Sequence, residues 1–119
     1  MIKCKYDGID KEFKPEEIIA ILIEKLKEYA DTHLNQRTSQ CVITVPAYFD
    51  IKQRQAIMDA AKLAKLNATQ LINKPIAVAL AYGIDKDKNA ANNKTLVIHL
   101  GGRTLEVTFL CMNAGNLVV

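Results

Sequence analysis

The chain has 119 residues, half of them apolar and 24% charged, with a net charge of +3. That length suits one small domain or part of a larger one and can bury a core with little surplus. The lysines are scattered among acids, which argues against a nucleic-acid surface, and no apolar run reaches membrane-spanning length. Cys4, Cys41 and Cys111 include no C-x-x-C pair, which argues against a disulfide framework or a zinc site. Met1–Lys5 has no secretory core, so a reducing, cytoplasmic setting is expected, and the sequons at Asn67 and Asn93 are read as chance.

In chain order, Ile2 to Tyr6 alternates, Asp7-Gly8 is a hairpin turn, and Ile9 to Phe13 returns. Pro15 opens a helix whose first turn carries Glu16 and Glu17, favourable at the positive end of the helix dipole. Ile19, Leu22, Ile23, Leu26 and Ala30 keep helical spacing, and the helix fades near Asn35. Cys41 to Val45 is a nearly continuous apolar run, the pattern of a strand covered on both faces, and Pro46 stops it. Asp50 with Gln53 three residues on reads as a capped helix start. Ala56, Ile57, Ala60, Leu63 and Ala64 form the expected buried stripe of that helix. Thr69 to Ile72 reads as a short strand, and Pro75 begins a third helix, Ile76 to Tyr82, ended by Gly83.

Residues 85–94 are polar and repetitive, a linker by composition. Beyond them Thr95–Leu100, Leu105–Met112 and Leu117–Val119 read as consecutive strands, joined at Gly101-Gly102 and at 113–115. The fold class expected is α/β: a β-hairpin at 1–14, an αβαβα unit at 15–84, and an incomplete β-meander at 95–119. The last strand has no closing element after it, and the whole reads as a fragment.

The stretch from His99 to Val107 carries the chemistry. An apolar strand leads into Gly101 and Gly102, then Thr104, then a second alternating strand. Backbone N–H groups of such a turn can close around a phosphate. His99 stands where an acid would hold a metal-bound water, and Arg103 where a third glycine would be expected. Taken alone, Gly101, Gly102 and Thr104 are equally turn residues, and His99 without a Cys, His or acid at metal spacing is a structural histidine before it is a ligand. His33, near a helix end, reads as solvent-facing.

Six segments, Phe13–Ile18, Val45–Asp50, Gln53–Ala56, Leu71–Pro75, Ala79–Asp85 and Leu100–Thr104, recur in order across nearly the whole chain. Together they resemble the middle of the nucleotide-binding domain of the seventy-kilodalton heat-shock chaperones, in the actin-like (ribonuclease H-like) ATPase group. The resemblance implies that residues 1–84 belong to one lobe and 95–119 open the facing lobe, with the nucleotide cleft between. It also implies that a first phosphate loop precedes this segment and that the adenosine clamp mostly follows it.

The departures fall on the chemistry. The family's Asn-Glu-Pro is Asn73-Lys74-Pro75 here, its Asp-Leu-Gly-Gly-Gly-Thr is His99 to Thr104, and an Asp is Glu106. The family's two acids face magnesium and the attacking water, and phosphoryl transfer depends on such positioned charge. Lys74 and His99 remove two negative charges and add one positive, which argues against magnesium. Arg103 leaves three readings open: a strained left-handed backbone, a side chain that occupies the phosphate space, or, with Lys74, a direct cationic contact to the phosphate. The phosphate-binding set implied by resemblance is Lys74, Gly101, Gly102, Arg103 and Thr104, with ATP or ADP as ligand, and no residue stands as catalytic or metal-binding.

Pro46 and Arg54 match positions that relay the nucleotide state in the family; otherwise they are a strand stop and an exposed helix charge. Gln70 stands where the family commonly has an arginine that contacts J-domain co-chaperones. The function expected is a partial ATP-binding segment of a protein-folding chaperone, unable to hydrolyse ATP alone. The alternative is a pseudoenzyme or protein-interaction module with the same fold; an actin-like sugar kinase is opposed by the motifs. The partners expected are the remainder of an ATPase domain or self-association, with clients and co-chaperones reached only through a full-length parent.

Overall fold

The computed structural model describes residues 1–84, 94–113 and 116–118. It is a mixed α/β structure, the class expected, with three small sheets and three helices among the described residues. The residues group into two compact units: Met1–Ile43 with Tyr48–Leu71, and Thr44–Ala47 with Ile72–Val119.

In the first unit, β1 (Ile2–Tyr6) and β2 (Ile9–Phe13) form an antiparallel hairpin, pairing Ile2 with Phe13 and Tyr6 with Ile9. Asp7 and Gly8 take φ of 55° and 76°, the two left-handed residues that a tight two-residue hairpin turn requires. Helix α1 (Pro15–Leu34) starts at Pro15 and ends on Asn35, whose φ of 52° makes it a left-handed cap. Helix α2 (Ile51–Leu63) starts on a capping box: Asp50 Oδ1 accepts from the Gln53 N–H at 2.8 Å, and Gln53 Oε1 accepts from the Asp50 N–H at 3.0 Å. α1 and α2 pack on each other, with Ala20, Ala60 and Ala61 as their buried residues.

Three burial patterns differ from the sequence-based expectation. Leu63 is exposed, and Ala61 takes its place in the buried face of α2, because the covered surface is turned slightly from the one the apolar spacing marks; Ala56, Ile57, Ala60 and Ala64 stay on it. Leu22 and Leu26 of α1 are also exposed. Strand β3 (Gln40–Val45) alternates between covered and open positions, with Val42 and Thr44 exposed and Val45 buried. It is thus covered on one face, not on both as its continuous apolar run suggests. It pairs with β4 (Asn67–Asn73), and the Thr69 hydroxyl donates to the Cys41 carbonyl at 3.2 Å.

The second unit carries α3 (Lys74–Ala81) and a three-stranded antiparallel sheet, β5 (Lys94–Leu100), β6 (Leu105–Asn113) and β7 (Asn116–Val118), in that order. Tyr82 caps α3 and Gly83 follows at φ 71°, as the sequence reading placed it. The register sets Val97 opposite Thr108, Ile98 opposite Val107, His99 opposite Glu106 and Leu100 opposite Leu105. Helix α3 packs against β5, and Ala79 and Leu110 are fully buried. The expected linker at 85–94 lies outside the described residues except for Lys94, and so do the turn residues 114 and 115 and the end of the last strand at 119.

Candidate functional site

Asn73 has an extended backbone and Pro75 sits in the first turn of α3, so Lys74 is held at the helix start by the residues on both sides. Lys74 is half-buried and Pro75 buried. Period-two alternation puts Val97 and His99 of β5 on the same sheet face as Thr108 and Glu106 of β6. These elements meet: Lys74, Pro75 and Val78 of α3 line a small cavity with Val97, His99, Glu106 and Thr108. Its free volume is about 10 Å³, room for about one water molecule. A phosphate group does not enter it.

The turn after β5 is closed by one backbone bond, from the Gly101 N–H to the Thr104 carbonyl at 2.8 Å. A Cβ at Gly101 would lie 3.4 Å from His99 Nε2 and 3.6 Å from Thr104 Oγ1, so the imidazole and the hydroxyl both lean over this glycine. Gly102 has open space beside it. The residues with positive φ are Asp7, Gly8, Asn35, Lys65 and Gly83 among those described. Arg103 is not one of them, so of its three readings only the left-handed strain is removed: an arginine fits this turn without that backbone cost. Its side chain is exposed, as are Gly101, Gly102 and Thr104.

The structure therefore brings Lys74 to His99 and leaves Arg103 outside the cavity that Lys74 lines. Sequence reasoning missed Thr108 as a neighbour, and it treated Glu106 only as a mild replacement. Both were open to inference, because a four-residue turn fixes the register that pairs them with Val97 and His99.

A divalent ion does not fit this donor set. Magnesium takes oxygen ligands in near-ideal octahedral geometry, whereas here one carboxylate, Glu106, shares the space with the Lys74 ammonium. Among the described residues no group of three or more His, Cys, Asp or Glu is placed to hold a metal.

Of the other residues singled out, Pro46 is half-buried directly after β3. Arg54 is not the exposed helix charge of the plainer reading. It is half-buried, and its Nε donates to the Phe49 carbonyl at 3.0 Å, tying α2 to the segment before it. Gln70 is exposed on β4 and His33 near the end of α1. Burial pushes the Cys41 thiol up, which keeps it protonated and unreactive at neutral pH. No helix among the described residues is long and apolar enough to cross a membrane.

A small α/β frame with a glycine-threonine turn between two antiparallel strands is the class of structure in which phosphate-binding hairpins occur. Comparison with known proteins makes this specific. The Hsp70 protein family model matches residues 1–119. The chain is 48% identical over 110 residues, 92% of its length, to the chaperone protein DnaK of Metamycoplasma hominis. It is 46% identical over 114 residues, 96% of its length, to the chaperone protein DnaK of Prochlorococcus marinus. Over 116 residues, 97% of its length, it is 42% identical to heat shock cognate 70 kDa protein 3 of Dictyostelium discoideum. The chain belongs to the Hsp70 family. It spans 18% of the length of each of these three relatives.

Proposed function

We propose that this chain contributes a nucleotide-facing segment of a heat-shock chaperone ATPase fold and does not hydrolyse ATP by itself. In this reading residues 1–84 belong to one lobe and 95–119 open the facing one. The observation that carries it is the cavity lined by Lys74, His99 and Glu106. Residues at the family's acidic positions there set a cation and an imidazole against a single carboxylate, which is the wrong charge for holding a metal-bound water. Phosphate contact, where it occurs, falls to the exposed turn. The amides of Gly102 and Arg103, the Thr104 hydroxyl and the Arg103 guanidinium are its donors, and none of them needs a metal. Lys74 adds long-range positive potential rather than a direct contact.

The test is phosphate release from ATP with magnesium, set against a protein-free blank, together with calorimetric titration of ADP and ATP with and without magnesium. The expected result is no turnover and a binding heat that magnesium leaves unchanged. Lys74→Glu combined with His99→Asp is expected to make binding magnesium-dependent. Turnover that Thr104→Val abolishes, or binding by the unaltered chain that requires magnesium, overturns the reading. A non-enzymatic interaction module is the second reading, and one observation favours it: six large apolar side chains stand exposed on β5 and β6.

A further inference from the structure

The cavity between α3 and the β5–β6 hairpin has walls that all come from this chain, and from one of its two compact units. It sets opposite charges in one space: the Lys74 ammonium from the start of α3 and the Glu106 carboxylate from β6. Both residues are half-buried, as is Thr108, two positions further along β6 on the same face. Among the described residues no ion pair or side-chain hydrogen bond joins Lys74, Glu106 or Thr108 directly. Half-buried charges and hydroxyls without a protein partner are satisfied by water. The free volume of about 10 Å³ matches one water molecule, and three polar groups are the usual set of partners for a buried one. His99 lines the same cavity and is exposed.

We propose that one ordered water in this cavity joins Lys74 to Glu106, with Thr108 as its third partner, so that Lys74 is the resident counter-cation of this carboxylate. The hydrogen-bond accounting closes. The water accepts from the ammonium, donates one hydrogen to the carboxylate, and exchanges its remaining bond with the Thr108 hydroxyl, which can donate or accept. A donor set that does not suit a divalent ion thereby satisfies itself, with the positive charge supplied by the chain. The bridge also has a mechanical consequence. Glu106 stands opposite His99 and two residues after Thr104, so the bridge ties the root of the Gly101–Thr104 turn to the first turn of α3. Lys74 and Glu106 are then positioning residues for that turn. Their effect on a phosphate rests on the function proposed above, whereas the bridge itself needs no nucleotide.

The test is a double-mutant cycle on the full 119-residue chain, read by amide hydrogen exchange, with the amides of α1 in the other unit as reference. Lys74→Met and Glu106→Gln are each expected to speed exchange across β6 about fivefold or more, because each leaves a half-buried charge without its counter-charge. The two together are expected to stay within about twofold of the larger single effect, since neither charge then remains. Thr108→Val removes one partner of the water and no charge; it keeps the question open to measurement should a charge variant fail to fold, and it is expected to speed exchange in β6 and not in α1. A crystal structure of the unaltered chain is expected to show one water within ~3.2 Å of both Lys74 Nζ and a Glu106 oxygen. Single effects that multiply in the double variant, a Thr108→Val chain that exchanges like the unaltered one, or a cavity closed by direct Lys74–Glu106 contact each overturns the proposal. None of these measurements uses nucleotide, so their failure is distinct from a failure of the phosphate reading.

Discussion

Asp31 holds together the end of α1 and the chain that follows it. Its Oδ1 accepts from both the backbone N–H and the hydroxyl of Thr38, each at 2.6 Å, and Lys27 Nζ lies 2.5 Å from its Oδ2. Lys27 first, then the two donors of Thr38, lower its pKa from 3.8 to about 2. A folded-state value below the unfolded one means that the carboxylate stabilises the fold above pH 3.8. That contribution falls away as the pH drops from there through about 2. Asp31→Asn is therefore expected to lower the thermal midpoint at pH 7 and to bring it closer to the wild-type value at pH 2.5. A midpoint difference that stays constant between the two pH values would show that Asp31 acts through shape alone. Nothing in the sequence pairs Asp31 with Thr38, because a contact made across the end of a helix depends on how the chain turns at Asn35. Asn35 itself was legible, since asparagine is among the few residues that tolerate a left-handed cap. Arg103 was legible only as a set of alternatives: the residue type says that a glycine is missing, and only the backbone says whether a glycine was needed.

At the scale of elements, the C-terminus of α2 ends in a Schellman motif that its sequence does not advertise. The Leu66 N–H donates to the Ala61 carbonyl and the Lys65 N–H to the Lys62 carbonyl, both at 2.9 Å. Lys65 occupies the left-handed position at φ 58°, where glycine is the usual residue. A lysine there carries the steric cost of its Cβ against the backbone. Lys65→Gly is expected to stabilise the chain by about 0.5–1 kcal/mol, after the greater freedom of glycine in the unfolded chain is set against that relief. Urea denaturation with an unchanged slope and a raised midpoint would confirm it; a lowered midpoint would show that the lysine side chain contributes more than the strain costs. The opposite end of α2 shows why some boundaries are legible. Asp50 and Gln53 are three residues apart and satisfy each other locally, so the capping box needs no knowledge of the rest of the fold. Leu63 and Val42 show the reverse. Apolar spacing marks a surface that can be buried, but burial also requires a neighbour to cover it, and both residues stay more than half exposed. The meeting of Lys74 with His99 and Glu106 is non-local in the same way. The hairpin register was readable from its turn, whereas the packing of α3 on β5 was not.

At the scale of the whole chain, the core among the described residues is small, and six of its ten apolar members are alanine. Ala20, Ala60, Ala61, Ala64, Ala68 and Ala79 are buried, while the large side chains that are fully buried are Leu110 and Val45 among the described residues. Alanine lets helices and strands approach closely but removes little apolar surface from water, so each large buried residue carries an unusual share of the stability. Leu110 lies on β6, on the face that α3 covers, in the unit that runs from Ile72 onward. Leu110→Ala would leave a void on that face, and such truncations cost about 2–5 kcal/mol. That is a large part of the ~5–15 kcal/mol by which folded domains are stable, and Met112 is the sheet's other large buried residue among those described. Hydrogen exchange is expected to show early loss of protection across Lys94–Leu100 and Leu105–Asn113 in this variant. The amides of α1 and α2, which draw on alanine contacts in the other unit, should keep theirs. Equal loss in all four elements would mean that the two units unfold as one, and no change in β5 and β6 would mean that the site collapses around the smaller side chain at little cost.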